Sequence, residues 1–167
     1  MNKKVERYYL EIWNLEDLKD SSNLPDNYSI NFVDPVDFQL NKFFYKNIGK
    51  NHKWTDRLVW SEEKWINYVS SSNVRTYVFK IKNNLVGFFE LIYHPEKNET
   101  EIAYFGILEE FQNKKLGSYL LSEVIKLSFK KNINRVWVHT CSLDHKNALN
   151  NYISRGMKIF KTEILNI

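Results

Sequence analysis

Between Glu101 and Thr140 the chain runs from a strand-like stretch, "EIAYFGIL", through the polar and basic loop "EEFQNKK", into a helical stretch that begins at Leu116, and on to a second strand-like stretch, "RVWVHT". Few folds accept that order. A strand, a helix and a strand in succession form a crossover within one sheet, with the helix laid over its face. Leu116, Leu120, Leu121, Val124 and Leu127 supply the apolar stripe for that face, in a helix predicted from Leu116 to Lys131. Upstream, "RTYVFKI" and "LVGFFELIY" flank Asn83 and Asn84 as a hairpin, and "EIAYFGIL" follows as its third neighbour. An antiparallel meander joined to a crossover predicts an α/β (α+β) fold: a mixed, mostly antiparallel central sheet flanked by helices.

The remaining segments fit that plan. "VERYYLEI" reads as a first strand, "NLEDLKDSSNLPDN" as irregular chain and "YSINFV" as a short second strand. A helix is predicted from Asp34 as cap and Pro35 as first residue to a stop at Gly49, with Val36, Leu40, Phe43, Phe44 and Ile48 on one face. Ser61 caps a second helix bearing Trp65, Tyr68 and Val69. Asp144 is the predicted cap of a last helix, which carries Ala148, Leu149, Tyr152 and Ile153 and ends at Gly156 before the final strand "KIFKTEI". At 167 residues the chain can bury one sizeable core, so a single domain over residues 1–167 is expected.

Composition narrows the class less. One cysteine, Cys141, cannot form an internal disulfide, and "MNKKVERYYLEI" has no long apolar run, which points to a soluble cytoplasmic protein without a membrane partner. The net charge of +4 is spread among scattered lysines and suits an anionic small molecule as well as nucleic acid.

The candidate site is the mouth of the helix at Leu116. The first N–H groups of a helix lack intrahelical acceptors and its dipole makes that end electropositive, so a phosphate arriving from the end of the preceding strand is stabilised there. Gln112, Lys114 and Lys115 add donors and charge, and Gly117 leaves the backbone open to close approach.

"QNKKLG" resembles the acyl-CoA-binding loop of the GCN5-related N-acetyltransferases, with Gln112 at its opening position and Gly117 at its close. The family's middle glycine is replaced by Lys115. "VWVHTCSLDHKNALNNYISRGM" resembles the family's next motif through Asn147, Ala148, Tyr152, Gly156 and Met157. The resemblance is strongest from Glu101 to Met157 and implies an acyl-CoA N-acyltransferase fold with splayed central strands. It implies acetyl-CoA as co-substrate, held by Gln112, Asn113, Lys114, Lys115, Leu116, Gly117, Ser118 and Asn147. The backbone of Gly106, Ile107 and Leu108 would bind the pantetheine arm and polarise the acetyl carbonyl.

Acetyl transfer to an amine needs a neutral nucleophile, a stabilised oxyanion and a proton for the leaving thiolate. Tyr152 is the candidate acid, against its bland role as a buried aromatic. Glu90, on the strand face of Phe88 and Ile92, is the candidate base, with Glu101 or a water chain as alternatives. Phe44, Trp54 and Trp60 are candidate walls of an acceptor pocket. His139, Cys141 and His145 do not have the spacing of a structural zinc site, so no metal is expected, and direct transfer is preferred to an acyl-enzyme on Cys141. The expected partner is a small-molecule amine or a protein amino group. A homodimer is left open. Competing readings are an acyl-CoA sensor without transferase activity and, further off, a nucleic-acid-binding module.

Overall fold

The computed structural model describes residues 2–167. In chain order it comprises β1 (Lys4–Ile12), β2 (Tyr28–Phe32), α1 (Phe38–Gly49), α2 (Glu62–Ser70), β3 (Val74–Ile81), β4 (Asn84–His94), β5 (Glu99–Ile107), α3 (Leu116–Ser128), β6 (Arg135–Cys141), α4 (Ala148–Ser154) and β7 (Lys158–Asn166). The strands make one mixed sheet in the order β2-β3-β4-β5-β6-β1-β7, antiparallel throughout except between β5 and β6. That parallel pair is the crossover through α3.

The two sheet faces are covered by different helices. Phe88 and Phe89, adjacent on β4, point to opposite sides because side chains alternate along a strand. Phe88 stacks on Phe44 of α1 with ring centroids 4.9 Å apart, in a cluster with Ile48, Val78 and Leu108. Phe89 joins the larger core beneath α3, where Leu116, Leu120, Leu121, Val124 and Ile125 meet Leu10, Val86, Ile102, Val136 and Val138. The apolar stripe read in the sequence is the buried face of α3.

Local signals are corrected at four places. α1 is capped by Asp37, whose carboxylate accepts from the N–H of Gln39, and it starts three residues beyond Pro35, which follows a cis peptide bond. The β3–β4 turn is made by Lys82 and Asn83, both at positive φ, so Asn84 already belongs to β4. α3 stops at Ser128 because the chain turns through Lys131 and Asn132 in the left-handed region. Asp144 does not cap α4; Asn147 stands there without a side-chain cap. Ser61 does cap α2, accepting from the N–H of Lys64. Gly156 ends α4 with φ +103, and a Cβ there would lie 2.2 Å from the carbonyl oxygen of Asp17. No other residue type fits.

The feature that positions the site is the parting of β5 and β6. Their pairing runs from Glu99 opposite Arg135 to Ile102 opposite Val138. Beyond those residues β5 stays on β4 as far as Ile107 opposite Gly87, while β6 stays on β1 as far as Cys141 opposite Arg7. The β4–β5 register slips between Glu90 and Leu91, so β5 carries an extra residue where the two strands diverge. A bulge sharpens local twist, which turns β5 away from β6.

Candidate active site

α3 begins without a side-chain cap, unlike α1 and α2. Among the described residues the N–H groups of Leu116, Gly117 and Ser118 find no acceptor, and the first closing bond is Tyr119 N–H to the carbonyl of Lys115 at 3.2 Å. Lys115 itself sits at φ 61, ψ 6, the left-handed region that glycine occupies freely and other residues enter at a cost of about 1–2 kcal/mol. Lys115 thus holds a backbone conformation that favours glycine. A Cβ on Gly117 would meet only Ile107 at 3.9 Å and Asn151 at 4.0 Å, ordinary contacts. Neither packing nor backbone angle within the chain demands a glycine at that position.

A cavity of about 910 Å³ opens where β5 and β6 part. It is lined by Gly106, Ile107, Gln112, Asn113, Lys115, Leu116, Gly117 and Ser118 on the loop side, and by Val138, His139 and Cys141 of β6. Asn147, Ala148 and Tyr152 of α4, the α1–α2 loop from His52 to Arg57, Arg7 of β1, Glu101, Asp144 and Arg155 also line it.

Several predicted residues have other employment. Gln112 donates its side-chain amide to the Ile107 carbonyl at 3.0 Å, bracing the loop on the end of β5 instead of offering that donor to a ligand. Leu108 lies outside the cavity, and its N–H is spent on Val86 of β4 at 2.8 Å. Because N–H directions alternate along a strand, the N–H of Ile107 then turns toward the gap. Lys114 is off the cavity, its ammonium 5.7 Å from the Phe111 ring centroid. Phe44 is core.

Tyr152 is buried, lines the cavity, and makes no side-chain hydrogen bond among the described residues. Burial, reinforced by the charge of Asp144, pushes its phenol well above the ordinary tyrosine value. It holds its proton at neutral pH.

Glu90 is fully buried on the Phe88 face but does not line the cavity. Arg57 Nη1 donates to its two oxygens at 2.9 and 3.2 Å, the Tyr68 hydroxyl donates at 2.7 Å and the Asn41 amide at 3.0 Å. A carboxylate so engaged has no oxygen turned to an incoming amine. Trp60 belongs to the ring of aromatics around Arg57, 4.8 Å from the guanidinium carbon, with Tyr104 at 4.2 Å and Tyr68 at 4.3 Å. Trp54 does line the cavity, and its indole N–H donates to Asp144 Oδ1 at 3.2 Å. That bond ties the α1–α2 loop to the loop after β6. Asp144 also accepts from the Thr140 hydroxyl at 2.5 Å and the Cys141 N–H at 3.0 Å, which explains why it is not a helix cap.

Sequence reasoning missed Arg57, because nothing local marks a partner 33 positions away. It also set aside His139, which lines the cavity past the fork; burial, then the nearby Arg7 charge, lower its imidazole below the usual value. Among the described residues no cluster of three metal-ligating side chains occurs, and no helix is long and apolar enough to cross a membrane.

Residues 38–157 match the family model described as the acetyltransferase (GNAT) family. A GCN5-related N-acetyltransferase from Sphaerobacter thermophilus shares the fold with a TM-score of 0.72 over 99% of this chain and 52% of its own, at 16% identity. One from Kribbella flavida gives 0.65 over 95% and 56% at 14% identity. An aminoglycoside acetyltransferase from an uncultured soil metagenomic sample, in complex with trehalose, gives 0.63 over 80% and 90% at 14% identity. The chain spans little more than half the length of the first two structures. No curated protein matches the sequence.

Proposed function

The chain belongs to the GNAT family of acetyltransferases, and from that premise we propose that it moves an acetyl group from acetyl-CoA to a primary amine by direct attack, with both substrates bound together. The observation that carries this reading is the cavity at the β5–β6 fork, which brings the uncapped mouth of α3 and the Tyr152 phenol to one space. Acetyl-CoA supplies the activated acetyl group as a thioester.

The residues divide the work as follows. The N–H groups of Leu116, Gly117 and Ser118 hold the diphosphate, with Lys115 adding positive charge and Asn113 and Asn147 bordering the same space. The Ile107 N–H polarises the acetyl carbonyl. Tyr152 gives its proton to the departing sulfur. For the amine proton we assign His139 in place of Glu90, because its neutral imidazole borders the cavity while Glu101 is engaged by His94 at 3.0 Å and Asp144 by three donors. Glu90 becomes a positioning residue that fixes Arg57. Trp54 walls the acceptor side.

Calorimetry with acetyl-CoA and thiol release with a panel of amines test the reading together. We expect uptake of acetyl-CoA and thiol release that depends on the amine. Folded protein that takes up no coenzyme A would overturn it, and uptake without amine-dependent release would leave an acyl-CoA sensor.

A further inference from the structure

Resting on that reading, the acceptor side of the cavity narrows the class of amine. Besides Arg155, whose Nη1 donates to Ser21 and to Ser118 at the start of α3, two guanidiniums line the cavity with donors to spare. Arg57 is 6% exposed and lines the cavity, yet only its Nη1 is used, by Glu90; among the described residues Nε and Nη2 have no protein acceptor. The packed rings of Tyr68 and Tyr104 fix the plane of the guanidinium, so the direction of its free donors is fixed as well. Arg7 of β1 lines the cavity too, with Nε buried and unpartnered and no ion pair among the described residues. Lys53 is a further cation of the lining, as are Lys115 and Arg155.

The carboxylates around the same space keep their charge but have their oxygens engaged by protein donors, Asp56 apart. Glu90 takes one edge of Arg57 only, Glu101 is bonded to His94, and Asp144 is occupied by Trp54, Thr140 and Cys141. Asp56, exposed on the α1–α2 loop, is the lining carboxylate left without a protein partner among the described residues. An amine with its own carboxylate would meet a planar, preorganised donor pair, the geometry guanidinium offers to carboxylate.

We propose that the acceptor is an amine bearing a carboxylate, an amino acid or a short peptide acid, with the carboxylate received by the free donors of Arg57 and with Arg7, which has no ion pair among the described residues, as a second cation beside it. The test compares matched pairs, each amino acid against its carboxamide, with spermidine as the polycation. Turnover is read by thiol release and binding by calorimetry on the coenzyme A-loaded protein. In the wild type the acids are favoured over the amides by about tenfold or more in kcat/KM. Arg57→Lys, which keeps a charge for Glu90 but removes the fork, brings that ratio to about threefold or less. Arg7→Gln lowers it by a smaller factor.

The two ideas fail separately. Amides or spermidine used as well as the acids would overturn the carboxylate assignment and leave the transferase standing. Acids that bind in preference to amides without any thiol release would keep the assignment and remove the transferase. A panel in which no acid binds or reacts overturns the assignment, whatever the fate of Arg57→Lys.

Discussion

Arg57 reaches Glu90 with a single nitrogen, at 2.9 and 3.2 Å from the two carboxylate oxygens, with Glu90 fully buried and Arg57 only 6% exposed. A pair in that setting is costly to break from one side, because the partner left behind is a buried, uncompensated charge. Glu90→Gln is expected to lower unfolding free energy by about 3 kcal/mol, and Arg57→Met with Glu90→Leu together by less than either Arg57→Met or Glu90→Leu alone. Urea titrations of the four proteins and the wild type check this. Since Glu90 is not assigned to proton transfer, the pH–rate profile of folded Glu90→Gln should superimpose on that of the wild type.

Tyr152→Phe removes only a hydroxyl and leaves the ring. We expect kcat to drop about a hundredfold with the acetyl-CoA KM nearly unchanged. The raised pKa means that the wild type keeps its proton donor as pH climbs through 10.0, so activity should show no alkaline loss from this group below that value. Steady-state kinetics between neutral and alkaline pH decide the point.

His139 predicts the acid side. Burial and Arg7 disfavour its imidazolium, so its pKa lies below the ordinary 6.5. The imidazole can accept a proton throughout the neutral range, and kcat should decline only below about pH 6.5. In that same window the unfolded chain binds a proton that the folded protein refuses. The contribution to stability is therefore present above pH 6.5 and lost as pH falls toward the folded value. His139→Gln should flatten both dependences, read by initial rates and by melting temperature.

Lys115 separates conformation from charge. Lys115→Gly relieves the left-handed strain at the α3 cap, and after the entropy cost of glycine should raise stability by about 0.5 kcal/mol. Lys115→Ala keeps the strain and gains nothing. Both lose the ammonium, so both should bind acetyl-CoA severalfold more weakly at low salt, with the difference shrinking as salt rises. Calorimetry at two ionic strengths reads the effect.

Much of the framework was legible because local pattern and tertiary role agree. The stripe from Leu116 to Leu127, the Ser61 cap, the β3–β4 hairpin and the strand alternation that put Glu90 beside Phe88 each follow from short-range rules. The failures have a common physical source in long-range partners. Asp34 and Asp37 are equally good caps on paper, and only the path of the chain selects Asp37. Asp144 looks like a cap until Trp54, 90 positions earlier, arrives to take its carboxylate. Phe44 and Trp60 are aromatic residues near the right place, but Phe88 claims one and Arg57 the other. Glu90 was singled out correctly as a carboxylate that needs a partner, and that partner is a residue no periodicity announces.

The fork after Ile102 and Val138 also sets where this molecule can be hardened. Any change that zips the two strands further would add rungs to the ladder and close the passage in the same stroke. Heat resistance and turnover are opposed along residues 103–107 and 139–141. They are independent at the β2 rim of the sheet, which contributes nothing to the cavity, and there selection for endurance should collect its gains.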